Sequence, residues 1–141
     1  MKMDLHHVNI CGTDVPRLRA FYSRVFGLAE AATSSGDQIA SHGYDEDVAF
    51  LSDGKVEFHL AKRDLGVSYR TKQPVNPLDR GHIAFRTDDI EAFKKRLTEE
   101  GVPFADYGEW AIKGWYQIFF QDPEGTIIEV HQADYVAPEA R

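Results

Sequence analysis

The chain contains the same pattern twice. LHHVNI at 5–10 is matched by RGHIAF at 80–85, which sets His7 against His82 at a separation of 75, and Asp14-Val15 falls on Asp89-Ile90 at the same separation. AFYSRVFG (20–27) resembles AFKKRLTEEG (92–101), with Phe21 on Phe93 and Arg24 on Arg96. VEFH (56–59) matches IEVH (128–131), with Glu57 on Glu129 and His59 on His131; these later blocks are 72 apart. A deletion of three residues near the start of the second helix accounts for the change. Blocks recurring in one order imply two copies of one supersecondary unit.

Each unit reads β-α-β-β-β. The first strand spans about 4–11, with Leu5, His7, Asn9 and Cys11 on one face and Val8 and Ile10 on the other. Thr13 or Asp14 caps the following helix, Pro16 suits its first turn, Leu18, Phe21, Tyr22 and Val25 form its apolar stripe, and Gly27 ends it. Strands follow near 29–34, at 38–42 or 47–52, and at 55–61, with Asp53-Gly54 as the last turn. The first unit thus covers about 4–62. Residues 63–79 hold two prolines and no clear period; they read as a long connection able to cover a site. The second unit, about 80–132, reads as a strand at 81–87, a helix at 89–100 capped by Thr87 or Asp88, and strands near 103–108, 115–121 and 126–132. The tail, 133–141, reads as a loose terminus or a dimer contact. The whole, 1–141, is one α+β domain of two βαβββ units.

Charge and composition narrow the partners. The net charge is −7, and basic residues cluster only as Lys62-Arg63 and Lys94-Lys95-Arg96, which argues against nucleic acid. No apolar run reaches the roughly 18–20 residues that span a bilayer, and MKMDLHHVNI lacks the features of a secretory leader. A single cysteine, Cys11, leaves no internal disulfide. The expectation is a cytoplasmic protein acting on a small molecule, with no membrane and no nucleic acid as partner.

Strand alternation gathers the chemical groups. His7 shares a face with Asn9 and Cys11, His82 with Ala84 and Arg86, Glu129 with Ile127 and His131, and Glu57 with His59 and Ala61. The opposite faces are apolar: Val8 and Ile10, Ile83 and Phe85, Ile128 and Val130, Val56, Phe58 and Leu60. One face therefore packs under helices, while the other lines a cavity. Two histidines and one or two carboxylates directed into one cavity form a divalent-metal ligand set, suited to one Ni, Zn, Mn, Co or Fe(II) ion. His7, His82 and Glu129 lead that set. Glu57 joins them, or His59 takes its place, and His131 stands behind the ligands. His6 is expected on the other face and His42 in a loop, both structural. Cys11 reads as a small core residue.

These stretches, with AFYSRVFGL, GHIAFRTDDIEAF and QIFFQDPEGTIIEV, resemble the vicinal oxygen chelate superfamily, the glyoxalase I, bleomycin-resistance and extradiol-dioxygenase group, over about 4–132. The resemblance implies curved mixed sheets with helices outside, a metal inside, and commonly a homodimer. It puts His7, His82 and Glu129 on the family's ligand positions and Glu57 on the fourth ligand of glyoxalase I-like members. It implies a metal that chelates two neighbouring substrate oxygens, most simply in a glyoxalase I-like lyase or isomerase with Glu129 or Glu57 as catalytic base. The alternatives are a metal-dependent thiol transferase or dioxygenase, and a metal-free drug-binding module. Asn9 and Arg86 are expected to contact substrate, Arg86 through a carboxylate. Trp110, Lys113, Trp115 and Tyr116 are expected as an aromatic rim beside it.

Overall fold

The repeat is plain in the order of elements. The computed structural model describes residues 1–31 and 48–138. The first unit is β1 (Met3–Gly12), α1 (Val15–Phe26), β2 (Ala29–Glu30), β3 (Val48–Ser52) and β4 (Glu57–Lys62). After a connection carrying the short helix α2 (Val67–Thr71), the second is β5 (His82–Thr87), α3 (Ile90–Glu99), β6 (Ala105–Glu109), β7 (Tyr116–Gln121) and β8 (Ile127–Gln132). The expected strand at 38–42 and His42 lie outside the described residues.

The eight strands among the described residues form one curved, unclosed sheet in the order β2-β3-β4-β1-β5-β8-β7-β6. Each half is the mirror order of the other. Within a unit the first and last strands run parallel, β1 beside β4 and β5 beside β8, and β1 meets β5 antiparallel at the centre. The two units therefore pair within one chain, and the residues their central strands carry come face to face.

Local chemistry starts and stops the helices. Asp14 caps α1, its Oδ1 accepting the Arg17 N–H at 3.1 Å, and Gly27 closes it. In α3 the cap is Asp89, which accepts from the Ala92 N–H at 3.0 Å, and not Thr87 or Asp88. Thr87 accepts the N–H of Asp89, and Asp88 accepts from the N–H of Lys2. Asp89 is the repeat partner of Asp14, so both units use one capping device.

The helices cover the convex side. Val15, Leu18 and Tyr22 of α1 pack on Leu51, Leu60 and Phe58; Ile90, Phe93 and Leu97 of α3 pack on Ile118, Val130 and Phe85. The concave side is not the open cavity expected. The connection folds onto it through Val67 and Leu78, and the segment between β6 and β7 through Trp110, Ala111, Ile112 and Trp115, joining Phe50, Ala61, Phe119 and Ile127 in a third apolar cluster. The polar residues are enclosed by it. No helix among the described residues is long and apolar enough to cross a membrane.

Candidate metal centre

The central strands set one row across the concave face. Glu57 stands opposite His7, His7 opposite Ala84, and Ala84 opposite Glu129. Ala84 has no side chain beyond Cβ, so His7 and Glu129 reach each other over it: His7 Nε2 lies 3.6 Å from Glu129 Oε2. One step along, Asn9 pairs with both His59 and His82. One step the other way, Arg86 stands opposite His131, and His131 opposite Gln117. His7, His59, His82, Gln117, Glu129 and His131 are all buried.

The hydrogen bonds fix where protons sit. His82 Nδ1 is 3.0 Å from the carbonyl oxygen of Pro77, which only accepts, so Nδ1 donates. In the neutral ring Nε2 then carries a lone pair. That atom is 3.5 Å from Glu129 Oε1, a second acceptor, and has no hydrogen-bond partner. Arg86 Nε donates to His131 Nε2 at 3.0 Å, so the His131 proton is on Nδ1 and is donated to Glu129 Oε2 at 2.6 Å. Both His131 nitrogens are thereby engaged within the protein. Gln117 Nε2 donates to Glu129 Oε1 at 3.0 Å, which leaves Gln117 Oε1 buried without a partner.

Burial sets the charge states. Desolvation, reinforced by His59, holds His7 well below the usual imidazole value, and desolvation likewise lowers His59 and His131. His6 is lowered to about 3 by burial and by the Arg86 guanidinium. Burial works to raise Glu129, but His7 and the bond from His131 outweigh it, leaving the carboxyl well below its ordinary value. A neutral imidazole set thus surrounds a buried carboxylate.

The donor set fits a divalent ion. Ligands about 2.0–2.1 Å from one ion at a tetrahedral angle stand roughly 3.4 Å apart. The separations from Glu129 to His7 and His82, 3.6 and 3.5 Å, are too long for hydrogen bonds and match that spacing. Those two distances run to different oxygens of Glu129, and the described residues whose ligand atoms converge as groups are His7 with Glu129 and His131, and His6 with His7 and His59, neither of which includes His82.

The other expected residues are distributed differently. Glu57 turns to His59, whose Nε2 is 2.8 Å from Oε1. Asn9 accepts from Cys11 Sγ at 3.1 Å. Trp115 stacks on His131 with ring centroids 4.1 Å apart and lies under the Arg86 guanidinium. Trp110 packs away from the imidazoles, on Tyr107 and Phe119. Tyr116 points to the α3 side, its hydroxyl on Lys94 and Asp106, and Lys113 is exposed.

His6 departs from its expected place. The pairing of β1 with β5 slips between Leu5 and His7. This bulge interrupts the alternation, leaves Leu5 exposed, and brings His6 onto the same side as His7, against Trp115 and His131 at ring distances of 5.3 and 5.0 Å. Gln117 was also missed: a glutamine in an alternating strand reads as a solvent-facing residue.

Comparison with known proteins agrees with this architecture. The sequence profile of the Glyoxalase/Bleomycin resistance protein/Dioxygenase superfamily matches residues 4–130. The chain is 27% identical over 137 residues to a protein of Arabidopsis thaliana named glyoxylase I 4, covering 92% of this chain and 71% of that one. A hypothetical protein of Bacillus halodurans C-125 superposes with a TM-score of 0.66 at 21% identity, over 99% of this chain and all (100%) of that one. Methylmalonyl-CoA epimerase of Streptomyces coelicolor, in complex with 2-nitronate-propionyl-CoA, does so at 0.62 and 20% identity, over 94% and 98%.

Proposed function

Since the chain belongs to the Glyoxalase/Bleomycin resistance protein/Dioxygenase superfamily, we propose that it is a divalent-metal-dependent enzyme. Its reaction is of the glyoxalase I type, a lyase or isomerase step on a small substrate bearing two neighbouring oxygens. The observation that carries this reading is the buried meeting of His82 Nε2, which has no hydrogen-bond partner, with Glu129 Oε1 at 3.5 Å. Burying such a pair costs free energy unless a cation joins them. His7, His82 and Glu129 would hold the ion.

When bound, the ion supplies a Lewis acid that stabilises charge developing on a substrate oxygen. The chain's own residues do the rest. A glyoxalase-type isomerisation and the epimerisation of an acyl thioester both begin by removing a proton next to a carbonyl, so the required protein group is a carboxylate base. Glu129 takes that part. His131 and Gln117 orient its oxygens through bonds of 2.6 and 3.0 Å. Trp115, stacked over His131, keeps bulk water from the carboxylate. A cavity of about 360 Å³ meets the edge of the site at Asn9 and His82, and its wall carries both Arg80 and Glu124. A homodimer fits the exposed Phe21, Val25 and Phe26 of α1.

The test is elemental analysis of untagged protein beside His82→Ala, followed by solvent-deuterium exchange into hemithioacetals and acyl thioesters. About one transition metal per chain, lost in the variant, is expected. Exchange should fall by about 10³-fold or more in Glu129→Gln, which removes the base and a ligand of the ion together. Protein that takes up no Ni, Co, Mn, Zn or anaerobic Fe(II) would instead be a metal-free binding module.

A further inference from the structure

A metal-bound imidazole is held in place by whatever accepts the hydrogen on its other nitrogen. For His82 that acceptor is the Pro77 carbonyl. His7 has a different partner, His6, whose Nδ1 is 2.9 Å from His7 Nδ1. Only the β-bulge makes this contact available, since consecutive residues of a regular strand point to opposite faces. Bulges commonly serve to re-aim a side chain.

We propose that Glu57, His6 and His7 form a carboxylate–histidine–histidine relay in which His6 is a positioning residue and Glu57 is its anchor, not a metal ligand. The proposal rests on the ion site described above. If His7 presents Nε2 to the ion, its hydrogen is on Nδ1 and goes to His6 Nδ1 at 2.9 Å, its partner there among the described residues. His6 then carries its own hydrogen on Nε2, which faces Glu57 Oε2 at 3.9 Å, an ion-pair approach beyond hydrogen-bond length. Glu57 keeps its other oxygen on His59 Nε2 at 2.8 Å, so the carboxylate is held from two sides. His7 and His6 have the proton placement that their hydrogen bond requires, and Glu57 acts on His6 through its charge. Glu129 is oriented the same way from behind, by Arg86 through His131. Every inner group thus has an outer partner: Pro77 for His82, His131 and Gln117 for Glu129, His6 for His7.

The experiment measures Co(II) and Zn affinity by chelator competition, with the Co(II) absorption spectrum, for wild type, His6→Ala, His6→Gln, Glu57→Gln and the His6→Ala/Glu57→Gln double variant. His6→Ala should weaken binding about 10–100-fold with band positions unchanged, since no ligand is lost. His6→Gln, whose amide oxygen accepts the same hydrogen, should recover most of that loss. Glu57→Gln should weaken binding without moving the bands, and add little to His6→Ala because both act through one relay. A shifted Co(II) spectrum in Glu57→Gln, or wild-type affinity in His6→Ala, overturns the relay while leaving the ion site standing. Wild-type protein that binds neither metal overturns the ion site and the relay together.

Discussion

Glu129 carries the balance between burial and hydrogen bonding at the level of single atoms. In the metal-free protein its Oε1 stands 3.5 Å from His82 Nε2, which has no hydrogen-bond partner, and Gln117 Oε1 is left without a donor. An amide in place of the carboxylate would donate to His82 Nε2 and still accept from His131, but its nitrogen also meets the Gln117 amide nitrogen, and turning Gln117 over only puts that nitrogen where its oxygen had no partner. The folded protein favours the anion, since the carboxyl is held well below its ordinary value. Glu129→Gln is therefore expected to lower the melting temperature of the metal-free protein by about 3 °C or more as well as abolish metal binding. Calorimetry on chelator-treated protein checks this; a higher melting temperature would mean that the cost of burying the charge outweighs what its donors return. Much of this site was legible in the sequence, because His7, His82 and Glu129 are marked by the repeat and by alternation. Gln117 and the Arg86–His131 bond were not: they depend on which strand lies beside which, and that is decided only when β7, β8 and β5 assemble.

The elements owe their placement to a few backbone positions. Gly81 precedes β5 with φ +84°, and a Cβ there would lie 2.2 Å from the carbonyl oxygen of Asn9. Neither β1 nor β5 can yield without moving Asn9 or His82, which are register partners. Gly81→Ala is expected to cost about 2–4 kcal/mol in denaturant unfolding and to weaken metal binding, because the strain falls on His82. Gly101→Ala is the control. It also has a positive φ, +71°, but an added Cβ meets nothing within 4 Å, so it should cost about 1 kcal/mol and leave the metal untouched. Equal losses in the two variants would remove the steric argument. The strands and helices themselves follow from alternation and capping residues, which is why most were readable. The bulge was not, because a slip of pairing between Leu5 and His7 belongs to two strands at once and leaves no mark on either alone. The cap of α3 was misplaced for a smaller reason: Thr87, Asp88 and Asp89 all suit a cap, and only the turn out of β5 selects among them.

At the scale of the whole molecule, the chain closes a curved sheet over a cluster of imidazoles that folding keeps neutral. The repeat made two units foreseeable; that they join through β1 and β5 in one chain follows from the antiparallel match of the two histidine strands. Enclosure has a consequence for the response to acid. His6, His7, His59 and His131 are all lowered below 6.5, by burial first and by neighbouring charges second. Below pH 6.5 the unfolded chain binds protons at these positions that the folded protein does not. Stability therefore rises with pH through this range: it is fully present above about 6.5 and is lost as pH falls toward the folded values, about 3 in the case of His6. Glu129, lowered from 4.5, adds a further loss in more acid solution, since its favourable anionic form disappears there. Each such proton tilts the curve by about 1.4 kcal/mol per pH unit, so a few imidazoles acting together can consume most of a domain's roughly 5–15 kcal/mol. The metal-free protein should show a melting temperature that drops steadily from pH 7 to pH 5, with proton uptake on unfolding visible as a buffer-dependent enthalpy. A flat profile over that interval would mean that the cluster charges while folded, and the enclosure would then be looser than the packing of Trp115 and the connection requires. Bound metal should steepen the fall, because protons displace it from the same nitrogens.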